Sequence, residues 1–138
     1  YDVLQPEYNL YTRNKFEGPL ADLCIAQDIG VISYYALAAG FLTGKYRKAE
    51  DAEGKTRGNR MPDYINDRGL KLLAALDQVA AETGESLAAI SIAWVAARPG
   101  ITAPIASATS LKQLEAILAA GRLTLSEAQM ALLNEAGA

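Results

Sequence analysis

The sequence predicts an α/β chain whose strands run parallel. Three observations carry this reading. Residues 3–5, 31–35 and 101–106 are apolar runs too short for helices. The stretches between them repeat apolar residues at helical spacing, and cap signals mark where those stretches begin and end. Strands that alternate with helices connect through right-handed crossovers, so neighbouring strands point the same way.

Residues 1–10 hold Val3-Leu4-Gln5 and Tyr8-Asn9-Leu10 with Pro6 between them. Proline has no N–H for a ladder, so the first strand is short and ends near Gln5. Pro19 suits the first turn of a helix carrying Leu20, Leu23, Cys24 and Ala26, and Gly30 suits its left-handed stop. The β-branched and aromatic run Val31-Ile32-Ser33-Tyr34-Tyr35 then reads as a buried strand.

Composition changes over residues 38–63. Gly40, Gly44, Gly54, Gly58 and Pro62 mix there with Lys45, Arg47, Lys48, Lys55, Arg57 and Arg60. A loop of that length inside a compact domain commonly carries function. The next helix places Leu70, Leu73, Leu76, Val79 and Ala80 on one face and ends at Gly84. Ser86 caps another, with Ile90, Ala93, Trp94 and Ala97 repeating at i, i+3, i+4, i+7 and Gly100 closing it. After the third strand, Ser110-Leu111-Lys112-Gln113 reads as a capping box for a helix with Leu114, Ile117 and Leu118 as its buried stripe. Ser126-Glu127-Ala128-Gln129 repeats the signal for a last helix ending near Ala136. The order is β, α, β, loop, α, α, β, α, α. Three parallel strands leave two open edges and need cover on both faces.

Composition excludes several function classes. In 138 residues there is no His and a single Cys. That removes Ser/His/Asp and Cys/His relays, His-ligated metal and an internal disulfide. Lys and Arg number 13 against 16 Asp and Glu, a net charge of −3, which disfavours nucleic acid or an anionic membrane as partner. No apolar run approaches the roughly 20 residues that span a bilayer, so a cytoplasmic location is expected. The length suits one core, and residues 1–138 are expected to form one piece.

The run Ser33-Tyr34-Tyr35-Ala36-Leu37-Ala38-Ala39-Gly40-Phe41-Leu42-Thr43-Gly44-Lys45-Tyr46 resembles the aldo-keto reductase family, where a barrel strand runs into a Y-S-P-L-A-x-G-x-L-T-G-K-Y loop. Gln5-Pro6-Glu7-Tyr8-Asn9 resembles the family's sixth strand. Ala93-Trp94 with Arg98-Pro99-Gly100 resembles its approach to the eighth. Pro104-Ile105-Ala106-Ser107-Ala108-Thr109-Ser110 with Gln113-Leu114-Glu115 resembles its P-I-x-G-A-x-S-x-x-Q-L-E cofactor segment. The resemblance implies a partial (β/α)8 TIM barrel, strands six to eight with their helices.

The resemblance also implies a nicotinamide cofactor, NADP with NAD possible, and a small-molecule carbonyl substrate. It puts the Tyr34 ring flat under the nicotinamide and gives Gln5 the ring's carboxamide. Residues Tyr35, Ala36, Leu37, Ala38, Ala39, Gly40, Leu42, Gly44 and Lys45 would wrap the pyrophosphate. The physical case for that segment is independent of the resemblance: glycines let a backbone approach a ligand and lysine adds a point charge. Arg57 resembles the clamp on the adenosine 2′-phosphate, with Arg60 as its rival. Ser107 and Thr109 precede a helix start, which attracts anions. Gln113 has two roles open to it, capping its helix or meeting the adenine side. Thr109 and Ile117 depart from many relatives, which carry a basic residue and Asn there, so Arg57 is the main support for NADP over NAD.

In the family a Tyr, tuned by Lys and Asp and often helped by a His, gives the proton, from strands earlier than any in this chain. No catalytic residue is therefore assigned, and no metal. The expectation is the C-terminal part of a longer reductase that pairs with a missing N-terminal part of the barrel, this piece being inactive alone. The resemblance extends to channel-associated β subunits, so the alternative is a non-catalytic nicotinamide-nucleotide-binding regulatory subunit.

Overall fold

A computed structural model describes residues 1–138. Its elements run in chain order as β1 (Val3–Leu4), α1 (Pro19–Ala26), β2 (Gly30–Ser33), α2 (Asp67–Thr83), α3 (Leu87–Ala96), β3 (Ala103–Pro104), α4 (Leu111–Ala120) and α5 (Glu127–Ala136). The three strands form one sheet in the order β1-β2-β3, all parallel, with β2 in the middle. Val3 pairs with Gly30 and Leu4 with Val31, and the same register reaches an isolated bridge between Glu7 and Tyr34. On the other side Ile32 pairs with Ala103 and Ser33 with Pro104. Pro104 has no N–H, so the ladder is carried by its neighbours: Thr102 N donates to Val31 O at 2.8 Å and Ile105 N to Ser33 O at 2.7 Å.

The reading of residues 38–63 as a plain loop is corrected. Three 3-10 segments occupy it: Ala38–Thr43, which is broken by a kink at Ala39 and Gly40, then Ala49–Ala52 and Gly58–Asp63. They bury Ala38, Ala39, Phe41, Leu42, Ala52 and Met61, and Tyr46 between them is buried too. Phe41 stacks on Tyr64 at 5.4 Å and 16°. Apolar side chains spaced through the segment thus tie it to the core, which a loop of solvated charges would not be.

Two helices depart from their expected stripes. Of α1's Leu20, Leu23, Cys24 and Ala26 only Cys24 is buried. In α4, Leu114 and Leu118 are 43% and 55% exposed, and Ala120 alone is buried. Each of these helices follows an edge strand, so the sheet offers it a neighbour on one side only. In α2 the buried face is Gly69, Leu72, Leu73, Ala75, Leu76 and Val79, with Leu70 turned to solvent. Helix α3 packs against α2, α4, β3 and the first 3-10 segment, and every residue from Ala89 to Val95 is buried. Ala97, expected on its inner face, lies beyond the helix end and is exposed. Burying a side chain of Leu or Ile size contributes roughly 1.5–3 kcal/mol, so α3 is a major anchor of the core.

A polar network fastens the far end of this core. Tyr8 Oη donates to Glu17 Oε1 at 2.6 Å and accepts from Arg98 Nε at 3.0 Å. Arg13 forks onto both Glu17 oxygens at 2.9 and 3.0 Å and also reaches Asn134 O at 2.8 Å. Trp94 Nε1 donates to Asn134 Oδ1 at 2.9 Å. The segment after β1, the end of α3 and helix α5 are thereby joined by groups that satisfy one another. No helix is long and apolar enough to cross a membrane.

Candidate functional site

Beyond the carboxyl ends of β2 and β3 the chain forms an open cleft of about 210 Å³. Tyr34 and Tyr35 enter it from the end of β2, followed by Ala36, Leu37, Ala39 and Gly40. Ile105, Ala106 and Ser107 enter it from the end of β3, and Arg57 from the 3-10 region. A parallel sheet sends its strand-end loops to one side, so residues 34–40 and 105–107 meet although 65 to 73 positions separate them in sequence.

The turn after β2 is unusual. Tyr35, Ala38 and Ala39 have φ of 57°, 48° and 55°, and Gly40 has 99°. Glycine takes that region freely, whereas each L-side chain there costs on the order of 1–2 kcal/mol. Local bonds hold the turn. Ala38 N donates to Tyr35 O at 2.8 Å, Gly40 N to Leu37 O at 2.9 Å and Thr43 Oγ1 to Gly40 O at 2.7 Å. The result is a pair of half-exposed rings, Tyr34 and Tyr35, set edge to face 5.1 Å apart at the cleft. Arg60 crosses over the Tyr35 ring at 5.4 Å and donates to its hydroxyl at 2.8 Å. Arg57 is exposed and makes no ion pair.

Eight of the fifteen expected positions thus converge: Tyr34, Tyr35, Ala36, Leu37, Ala39, Gly40, Arg57 and Ser107. The other seven lie elsewhere. Gln5 is exposed just past β1, two residues ahead of the Glu7–Tyr34 bridge. Ala38 and Leu42 are fully buried. Gly44 ends the first 3-10 segment at φ 78°, and a Cβ there would come within 2.6 Å of Leu87, so its smallness serves packing. Lys45 lies over the Tyr46 ring at 5.0 Å. Gln113 Oε1 accepts from Thr109 N at 2.7 Å and Thr109 Oγ1 at 3.0 Å, while Ser110 Oγ accepts from Gln113 N at 3.3 Å. The expected capping box is therefore corrected: Gln113 reaches back one residue further than the cap.

Ile105 and Ala106 also line the cleft. They lie in the run resembling the family's cofactor segment but have no assigned role of their own, because an apolar strand end carries no chemical signal by itself. Sequence reasoning weighed Arg60 for a phosphate, and the structure engages that guanidinium with Tyr35. Two tyrosines have perturbed acidity. Burial, with the hydrogen bond it donates to Glu17, pushes Tyr8 well above the usual phenol range. Burial and the Glu7 charge push Tyr64 up as well. Neither is tuned to release a proton near neutrality. No group of His, Cys, Asp and Glu is placed to hold a metal ion.

The model of the Aldo/keto reductase family matches residues 1–138. The chain belongs to the aldo/keto reductase family. Among its relatives, a probable voltage-gated potassium channel subunit beta of Oryza sativa is 35% identical over 117 residues, covering 81% of this chain and 36% of that protein. An L-glyceraldehyde 3-phosphate reductase of Escherichia coli O157:H7 is 30% identical over 140 residues, covering 96% of this chain and 40% of that reductase. The crystal structure of a thermostable aldo-keto reductase, Tm1743, superposes with a TM-score of 0.70 at 21% identity, over 98% of this chain and 39% of that one. At that identity the likeness concerns the fold: an α/β arrangement of three parallel strands and their helices that is part of a (β/α)8 TIM barrel. The chain spans about two fifths of the length of these aldo/keto reductase relatives.

Proposed function

We propose that the chain is the cofactor-binding part of an NADP(H)-dependent aldo-keto reductase that reduces aldehydes or ketones to alcohols. The single observation that supports this most is the convergence of two tyrosine rings, a left-handed turn, an unpaired arginine and a serine on one cleft at the carboxyl end of the sheet. Those groups fit a nicotinamide nucleotide. When bound, it supplies the hydride. The Tyr34 ring offers a flat apolar face to the nicotinamide, and Ile105 and Ala106 keep water from that side. The backbone of Ala36 to Gly40 lies against the pyrophosphate, and Arg57 takes the 2′-phosphate through its planar donors. Ser107 lies three residues ahead of Ser110, the cap of α4, whose start favours an anion. Thr109 N is already taken by Gln113, so its part there is smaller.

On this reading the proton comes from outside residues 1–138, as the resemblance implies, and the raised pKa values of Tyr8 and Tyr64 make those two phenols poor proton donors. The preceding strands of the barrel are the proposed source of the acid and the proposed covalent partner of this piece, and a small carbonyl compound is the proposed substrate. A cytoplasmic location belongs to the same reading.

Titration with NADPH and NADH, followed by nicotinamide fluorescence, tests the proposal. Arg57→Ala is expected to weaken NADPH by about 1–3 kcal/mol, the range for losing a charge-assisted hydrogen bond, and to change NADH little. Equal losses would remove Arg57 from the 2′-phosphate, and no response of the folded chain to either nucleotide would sink the cofactor reading. The likeness to the rice channel subunit supports a second reading, a nicotinamide-nucleotide-binding regulatory subunit without turnover. Binding of NADPH to the longer protein with no carbonyl-dependent oxidation would favour it.

A further inference from the structure

We infer that Asn9 is a positioning residue for the Tyr34–Tyr35 wall of the cleft, an inference that rests on the cofactor reading for its functional meaning. Asn9 is fully buried just beyond β1, and its carboxamide is used at both ends. Oδ1 accepts from Tyr11 N at 2.9 Å and from Thr12 N at 2.7 Å. Two N–H groups facing one atom fix which end is oxygen, so Nδ2 is the end turned to the neighbouring strand. There it donates to the carbonyl of Tyr35 at 3.0 Å.

Tyr35 is the first residue of the turn with positive φ, and its carbonyl is the pivot of that turn. It also accepts from Ala38 N at 2.8 Å. A bulky aromatic residue at φ 57° persists only where the surroundings over-determine it. Beside the sheet pairing, in which Tyr8 N donates to Tyr34 O at 3.3 Å, the Asn9 amide is the bond that reaches this carbonyl from the segment after β1. It sets where β2 stops being a strand, and therefore which way the two rings leave it. Asn9 itself lines no part of the cleft.

The discriminating variant is Asn9→Asp. A carboxylate keeps the two acceptor bonds to Tyr11 and Thr12 and cannot donate to Tyr35 O. With no nucleotide present, the amide resonances of residues 35–40 and the Tyr34–Tyr35 ring contact are expected to change, while those of Tyr11 and Thr12 stay. NADPH affinity is expected to fall about tenfold or more. Adding Tyr35→Gly to Asn9→Asp should restore the amide pattern of residues 37–40, because glycine takes the left-handed angle unaided. A residue that only caps its own loop would leave residues 35–40 unmoved in Asn9→Asp, and that result would overturn the inference. If the variant does not fold, the wild-type chain decides the question. A scalar coupling across the hydrogen bond from Asn9 Nδ2 to the Tyr35 carbonyl carbon is expected, and its absence with fast exchange of that side-chain amide would also overturn the inference. If wild type binds no NADPH, the cofactor reading fails while the nucleotide-free measurements still decide the role of Asn9.

Discussion

Glu17 shows how one side chain can be opposed and favoured at once. Burial disfavours its charge, but hydrogen bonds from Arg13 and Tyr8, then the charges of Arg13 and Arg98, hold its carboxyl below the ordinary glutamate value of 4.5. A carboxylate whose acidity is strengthened by folding contributes stability above its unfolded pKa, and that contribution is lost as pH falls through the folded value. The melting temperature is therefore expected to drop as pH is lowered through 4.5 and below. Glu17→Gln should melt lower than wild type at about pH 7 and show a shallower fall in acid. Asp51 and Glu82 are shifted the same way, so the comparison between variant and wild type isolates Glu17. Identical slopes would show that the network carries no proton linkage. At this scale the sequence displayed Tyr34, because an aromatic ending an apolar run before a glycine turn is visible in one dimension. Asn9 was not visible, since its role depends on which carbonyl the fold brings to its amide.

Elements were legible where their ends carry chemistry. The caps at Ser86, Ser110 and Ser126 accept from the N–H three residues on, and Gly84 takes the left-handed angle at the end of α2. The 3-10 segments were not legible, because short i→i+3 turns leave no apolar period to count. Their dependence on close contact yields a prediction. A Cβ on Gly58 would lie 1.9 Å from Ala52 O, so the second and third segments touch only because that residue has no side chain. Gly58→Ala is expected to cost about 1–3 kcal/mol by overpacking, read by urea unfolding, and to weaken NADPH through displaced Arg57. Unchanged stability would mean the two segments separate without cost. The stripes of α1 and α4 were legible as amphipathic patterns, but a pattern reports which face wants cover and not whether the fold supplies it.

The molecule as a whole leaves apolar surface uncovered. Val3, Tyr34 and Ile105 are exposed along the sheet, and Leu111, Leu114 and Leu118 along α4. Strands β1 and β3 each have one side without a partner. Surfaces of this kind associate. The isolated chain is expected to form larger species as concentration rises in sedimentation velocity. Leu111→Lys combined with Leu118→Lys should reduce that association while changing stability by only about 0.5 kcal/mol per site, since both side chains are exposed. A wild-type chain that stays monomeric at every concentration would show these faces to be tolerated by water. Parallel pairing and the α/β class followed from strand and helix alternation, while the partial barrel followed from the family resemblance of the motifs. How the barrel is completed is not written in three strands.

The single tryptophan gives the chain a built-in optical probe. The Arg13 and Arg98 guanidinium groups both lie over its indole, 5.6 and 5.1 Å from the ring, and its N–H is satisfied from the last helix. Its emission colour therefore monitors whether α5 is docked. Fraying of the C-terminus would announce itself as a shift toward longer wavelength before the sheet gives way.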